Sequence, residues 1–385
     1  MMSQRNHIDL PILVVVLILM VIGLGVVYSA SSTWAWEKYH ESSWLLESHA
    51  IKVLFGFVAI FLFMHIDYKH YKRVTKPALI ACVLALLVTL AFGGELKGAV
   101  RSLSVAGFSI QPSEFAKYAL VFHLAFLLSS KRETLLDFKR GFIPLMIWVG
   151  LVTLLVFLQP NFSNGAMIAA ISLMMVFMGG IKLSHIVLTM GAALPVLVFY
   201  LFGAQYRIER IKSFLGGEES INYQLKQGIL AFGNGGIFGL GPGQSRQRDF
   251  FLPESYGDFV FPIIGEEYGL IGSVFVMLMF LILVLRGFKV AKYALDDFGR
   301  YLAIGITSCV TLYALVNAGV TVGLLPTTGL PMPFVSYGGS SMLVSSIAIG
   351  VLLNISAHTD LHPRLAAPEG VRPIELPSPI AGKVY

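Results

Sequence analysis

FLPESYGDFVFPIIGEEYGLIGSVFVMLMFLILVL, residues 251–285, decides how this chain folds. From residue 268 on it carries no charge, and about 18 consecutive apolar residues suffice for a helix to cross ~30 Å of hydrocarbon. Asp258 stands at the mouth of this run, and Glu266 and Glu267 stand two turns inside it. Carboxylates at that depth are costly and face a protein interior or a polar cavity. Asp258, Pro262 and Glu266 follow at four-residue spacing, so both carboxylates share one helix face. Asp258 also has the chemistry of a helix N-cap. The cap and the functional group are both open readings. Glu266 and Glu267 are expected to pair with Lys117 or Arg101 across a bundle.

The rest of the chain repeats the apolar theme. Of 385 residues, 56% are hydrophobic and 13% charged, with mean hydropathy +0.76. That charge is too sparse for a soluble surface of this size, and helices are the default spanning element in lipid. Ten apolar segments are expected: 10–29, 50–66, 77–93, 112–130, 142–158, 164–180, 183–203, 258–285, 300–325 and 338–358. The first is too long for a signal-peptide core and many spans follow it. The expected fold is all-α, a polytopic membrane protein with ten transmembrane helices over residues 1–359. The proline-rich stretch 360–385 reads as a flexible tail. The net charge of +6 is spread over loops and does not point to nucleic acid. Cys82 and Cys309 lie in apolar runs without ligand spacing and read as buried small hydrophobes.

Lysine and arginine set the orientation. Clusters at 69–76, 131–140 and 286–300 fall on one side if every segment spans. That side is the cytoplasm, so both termini are expected there. The opposite side carries a large loop, 204–257, with Arg207, Arg210, Lys212, Arg246 and Arg248. Positive charge on that face points to an anionic ligand. The pieces YRIERIKSFL and YQLKQGILAFG are amphipathic and predict short helices. The glycine-rich GNGGIFGLGPGQSRQR, 233–248, lacks the register of a dinucleotide fingerprint and the lysine end of a P-loop. It reads as a flexible or tightly turned loop.

Three further stretches carry polar groups. FSIQPSEFAKYALVFHLAF, 108–126, starts a helix at Pro112. Its Glu114 suits the helix N-terminus, and Lys117 follows on the same face. The pair reads either as a helix-start ion pair or as the wall of a polar cavity that Arg101 could also reach. LQPNFSNGA, 158–166, is turn chemistry with Gln159, Asn161 and Asn164. GLLPTTGLPMPFVSYGGSSML, 323–343, places irregular backbone near membrane depth, tolerated where it is buried or lines a cavity. Ser336, Tyr337, Ser340 and Ser341 would face that cavity.

In order and spacing, GAVRSLSVAGFSIQPSEFAK (98–117), LQPNFSNGA, FLPESYGDFVFPIIGEEYGLIG (251–272) and GLLPTTGLPMPFVSYGGSSML resemble the SEDS family, the bacterial shape, elongation, division and sporulation proteins. The likeness runs from the first helix to about residue 358 and leans to the division branch, on residues 316–341 and the proline-rich tail. The resemblance implies a peptidoglycan glycosyltransferase that polymerises lipid II into β-1,4 glycan strands. It carries the catalytic aspartate to Asp258, within the pattern Leu252, Pro253, Glu254, Asp258, Phe259. Residues 255–257 are Ser-Tyr-Gly where an Ala-His-Thr type triplet is frequent, and Asn161 stands where aspartate is frequent, which argues against an essential carboxylate at 161.

Inversion from an α-linked diphosphate to a β-linkage needs one displacement and one general base, without the second carboxylate of a retaining glycosidase. Arg101, Lys117, Arg207, Arg210, Arg246 and Arg248 are candidates for the leaving diphosphate. Glu114 and Ser336 complete the expected substrate-binding set. A divalent cation, magnesium or manganese, is an alternative counter-charge with no defined ligand set. The implied partners are lipid II, a class B penicillin-binding transpeptidase and other division proteins, in the bacterial plasma membrane at the septum. The rivals are a lipid II flippase, which would use Glu266, Glu267, Lys117 and His123 as a polar path, an elongation-type polymerase, and a scaffold without chemistry.

Overall fold

The computed structural model describes residues 7–96, 99–105, 108–203, 205–216, 222–249 and 251–359. The expected tail, 360–385, lies outside the described residues. Helices dominate: α1 (Leu10–Tyr39), α2 (Trp44–His65), α3 (Tyr71–Phe92), α4 (Pro112–Ser130), α5 (Ile143–Leu158), α6 (Phe162–Met178) and α7 (Leu183–Phe202). Two shorter helices follow, α8 (Gln205–Leu215) and α9 (Tyr223–Gly235), then α10 (Val260–Lys292), α11 (Asp297–Thr321) and α12 (Gly339–Ala357). Among the described residues, seven helical segments are long and apolar enough to cross a membrane: α1, α2, Tyr68–Phe92, Phe138–Leu158, α10, α11 and α12. Helices α4, α6 and α7 cover the other three apolar segments. The amphipathic pieces of the loop are helical, as expected.

Two expectations are corrected. Between α3 and α4 the chain forms a small antiparallel sheet in the order β1 (Gly94–Leu96), β2 (Ala99–Val105), β3 (Phe108–Ile110). The strands pair in antiparallel register, Glu95 with Val100 and Ser104 with Ser109, so the backbone groups of this connection are satisfied between strands. Helix α1 also runs a further ten residues past its expected end, to a left-handed His40 that caps it (φ 55°). Small residues Ser29–Ser32 continue the helix, and nothing before His40 breaks it.

Helices α11 and α12 form the centre of the bundle, packed on α2, α4 and α10. One end of the bundle is tied by polar bonds. Arg286 holds the buried Asp9 through two nitrogens, at 3.0 and 2.6 Å to Oδ2. Lys72 reaches Asp296 at 2.7 Å, and the Tyr68 N–H donates to Asn354 at 2.8 Å. Two of the three basic clusters therefore meet at the end where the described chain starts and stops.

The glycine stretch 233–248 is a built element, and it explains α10. At Gly269 the helix breaks, with φ 66° and ψ −163°. The break exposes backbone groups, and the loop pairs with them. Leu240 and Gly241 N–H donate to the carbonyls of Glu266 and Glu267 at 2.9 and 3.0 Å, while Leu270 and Ile271 N–H donate to those of Gly236 and Ile237 at 2.9 and 3.2 Å. Non-helical backbone at this depth persists because it is satisfied within the protein. A Cβ on Gly269 would stand 2.4 Å from the Ile237 carbonyl oxygen, and one on Gly239 2.2 Å from that of Glu267. The glycines are there for contact between backbones.

Candidate functional site

The expected pairing of Glu266 and Glu267 with Lys117 is not found: Lys117 pairs with Glu114 instead, and the side chain of Arg101, the other expected partner, lies outside the described residues. Glu266 is fully buried and accepts from Asn234 Nδ2 at 2.9 Å, from the Gln247 N–H at 3.1 Å and from the Ser245 hydroxyl. Glu267 accepts from the Ser29 hydroxyl of α1. Arg248 donates to the same hydroxyl and to the Ser29 carbonyl, at 2.9 and 3.0 Å. The two glutamates anchor the arch 245–248 and fasten it to α1. Their depth is the depth of the loop they hold.

Asp258 is not the cap of α10. It sits in a turn one residue earlier; Phe259 is the cap residue. The Asp258 loop is instead fixed from three sides. The Ser255 hydroxyl donates to the Ala30 carbonyl of α1 at 2.9 Å. The Tyr337 N–H donates to the Tyr256 carbonyl at 2.9 Å. Asn317 of α11 donates through Nδ2 to both the Asp258 and the Leu330 carbonyls, each at 2.7 Å. Glu254 takes a left-handed conformation (φ 57°) to close the turn, and its carbonyl accepts from Gly257 at 2.8 Å. Burial, with the charge of Glu254 second, pushes the Tyr256 phenol up to about 12, so it stays a donor at neutral pH.

The last loop faces Asp258. Gly329 has φ 70°, and a Cβ there would lie 3.4 Å from Asp258 Oδ2. Two residues away, the Thr327 carbonyl accepts from the exposed guanidinium of Arg210 at 3.2 Å. Helix α8 thus brings Arg210 onto the loop that borders the aspartate. Ser336 lies in the same loop, but its oxygen accepts from the Met332 N–H at 2.8 Å, a bond that shapes the turn. Arg246 is exposed on the arch held by Glu266. The side chains of Arg101, in β2, and Arg207, in α8, lie outside the described residues.

Glu114 and Lys117 form a buried ion pair at 2.8 Å. It belongs to a wider network: Asn164 of α6 donates to the Ser113 hydroxyl at 3.0 Å and to Glu114 at 3.4 Å, and the Tyr313 hydroxyl of α11 donates to Asn164. Lys117 Nζ lies 3.8 Å from the centre of the Tyr313 ring. The Gln111 N–H donates to Ser340 at the start of α12 at 2.9 Å. The helix-start ion pair is present, and the polar side chains around it come from α4, α6 and α11. Removing either partner strands a buried charge, a loss of about 3–5 kcal/mol in protein interiors. Glu114→Ala and Lys117→Ala are each expected to lower the melting temperature, and the exchange Glu114→Lys with Lys117→Glu to recover part of the loss. A doubly exchanged protein as unstable as the sum of the singles would show that the two act separately.

Asn317 went unnoticed in the sequence, where a polar residue in an apolar helix was the available signal. Asn317→Ala would leave two carbonyls without their donor, about 1–3 kcal/mol each. The expected result is a lower melting temperature and a poorly held Asp258. Lys52, in the middle of α2, was missed too, although a single lysine in an apolar run is the same signal.

Comparison with known proteins gives a consistent picture. Residues 9–361 match the family model of the FtsW, RodA and SpoVE type, described as a cell cycle protein. A probable peptidoglycan glycosyltransferase FtsW of Geobacter metallireducens is 40% identical over 360 residues, covering 92% of this chain and 96% of the relative. Stage V sporulation protein E of Bacillus subtilis is 37% identical over 364 residues, 93% of this chain and all of the relative (100%). Among solved structures, a chain from a peptidoglycan synthase complex that coordinates polymerisation and crosslinking superposes with a TM-score of 0.74 at 24% identity, covering 91% of this chain and 97% of that one. Thermus thermophilus RodA superposes at 0.67 with 22% identity, covering 91% and 96%. These structures share the fold.

Proposed function

The chain belongs to the FtsW, RodA and SpoVE family of cell cycle proteins, and from that premise we propose that it is a peptidoglycan glycosyltransferase that joins lipid II units into β-1,4 glycan strands during division. The observation that carries the reading is the placement of Asp258: a carboxylate outside any helix, with its backbone clamped by Asn317 and its side chain facing the backbone of Gly329. A group needed only as a helix cap would not be held this way.

In the reaction a sugar 4-hydroxyl of one lipid-linked unit attacks the anomeric carbon of another. Asp258 accepts the hydroxyl proton as the new C–O bond forms. The bond to the diphosphate breaks on the opposite side, and the lipid diphosphate leaves with its electron pair. Arg210, held from α8 on the loop that faces Asp258, can meet that charge, and Arg246, Arg101 and Arg207 belong to the same expected set. A magnesium or manganese ion, when bound, would supply further counter-charge to the diphosphate.

In this reading α4, α6 and α7 complete ten spans, both termini are cytoplasmic, and the 204–257 connection faces outward in the bacterial plasma membrane at the septum. The names of the relatives support division over elongation. A class B penicillin-binding transpeptidase and other division proteins are the partners. The flippase alternative loses the carboxylates it relied on, because Glu266 and Glu267 hold a loop instead of lining a path. The test is to give the purified protein labelled lipid II, with and without a transpeptidase, and to look for glycan chains on a gel. Lipid II crossing liposomes without chain formation would overturn the reading.

A further inference from the structure

We propose that Lys52 of α2 and the first-turn amides of α12 form a binding subsite for the diphosphate group of a polyprenyl-linked substrate; this deepens the function proposed above and rests on it. Lys52 sits eight residues into a membrane-spanning helix, half-buried. Among the described residues no carboxylate pairs with it. Its ammonium lies over the Tyr337 ring, 3.7 Å from the centre. An ammonium at this depth needs a counter-charge or a polar cavity, and an aromatic face gives only part of that.

The lysine stem runs past the start of α12. Its Cε and Cδ lie 3.6 and 3.7 Å from where a Cβ on Gly339 would stand. Helix α12 is 19 residues long, and its cap residue Gly338 has no side chain to satisfy the first N–H groups. Such amides and the helix dipole favour an anion. A second feature points the same way. His49, one turn before Lys52, is fully buried, and neither ring nitrogen has a hydrogen-bond partner. Its ring lies 5.6 Å from that of Tyr337, the residue just ahead of the cap. A buried polar ring without a partner is costly unless something completes it.

The position suits the chemistry. Tyr337 donates its N–H to Tyr256, two residues before Asp258, so the subsite adjoins the aspartate's loop. The other face of α2 exposes Ile51, Leu54, Phe55 and Val58. A polyprenyl tail can lie along that apolar face while its diphosphate reaches Lys52.

The test is equilibrium binding of radiolabelled undecaprenyl diphosphate to the full chain in nanodiscs. Losing one charge-assisted contact is expected to weaken binding by roughly ten- to a hundredfold in Lys52→Gln. Lys52→Arg should retain most of the affinity, and binding of uncharged undecaprenol should not change. Unaltered diphosphate binding in Lys52→Gln, or an equal loss for undecaprenol, would overturn the subsite. Should that variant fail to fold, acetylation of Lys52 in the wild-type protein, read by mass spectrometry, replaces it. Protection by undecaprenyl diphosphate but not by undecaprenol supports the proposal, and equal labelling ends it. Competition by inorganic pyrophosphate would support recognition of the diphosphate alone; competition by the lipid only would support recognition of diphosphate and tail together. Chain formation is scored separately. Lys52-dependent binding without any glycan synthesis would remove the polymerase reading and keep the subsite, and the converse would keep the polymerase and remove the subsite.

Discussion

Asp258→Asn is expected to abolish glycan synthesis while the protein remains folded and able to bind its transpeptidase. The amide keeps the shape of the side chain but cannot accept the hydroxyl proton as a base. General-base catalysis is worth roughly 10²–10⁴-fold, so chain formation from labelled lipid II should drop below detection on a gel. The clamp on Asp258 is made to its backbone carbonyl by Asn317, and the substitution leaves that bond in place. The expected separation is therefore clean, with an unchanged melting temperature and lost polymerisation. Equal activity in the variant would return Asp258 to a structural role in its turn and leave the base to be sought elsewhere. A fall in melting temperature together with activity would be the signature of a packing residue. Asp258→Glu should also perform poorly, because the longer side chain would press on the backbone of Gly329.

The second large effect is structural. Gly269→Ala is expected to prevent accumulation of folded protein or to lower its melting temperature sharply. The φ of 66° with ψ of −163° belongs to a region used almost only by glycine, at about 1–3 kcal/mol for any other residue. The added Cβ would meet the Ile237 carbonyl oxygen at 2.4 Å, and it cannot move away without breaking the paired bonds of the loop. Gly150→Ala, in α5, is the comparison: a Cβ there would meet nothing within 4 Å. Measured by thermal unfolding in detergent, Gly269→Ala should be clearly the worse of the two. Equal behaviour would mean that α10 tolerates an unbroken course and that the glycine loop does not depend on the break.

Much of the architecture was legible in the residues. Segment 112–130 matches α4 at both ends, because Pro112 sets its start, and 183–203 matches α7 within a residue. The site was legible only in part. Asp258 stood out as a carboxylate where none is needed for a span. Its partners did not, since Asn317 and Gly329 are distant in sequence and each is unremarkable alone. The pairing of Glu266 and Glu267 with Lys117 failed for the same reason. Their real partners, Asn234, Ser245, Gln247 and Ser29, are neutral groups that no charge-based reading selects. Lys117, meanwhile, had a partner three residues away.

The amino-acid sequence by itself determined a chain of apolar helices, because hydrocarbon leaves the backbone no other way to satisfy its own hydrogen bonds one segment at a time. It also determined where that rule is broken, in the glycines and prolines of 233–248 and 323–338. Only the tertiary structure decided what those breaks are for. Residues 235–241 close the gap in α10 by backbone pairing, and Asn317 joins two loops across the bundle to fix Asp258. Both depend on atoms brought together from far apart along the chain, through main-chain groups that are the same in every residue, so no pattern of side chains could announce them.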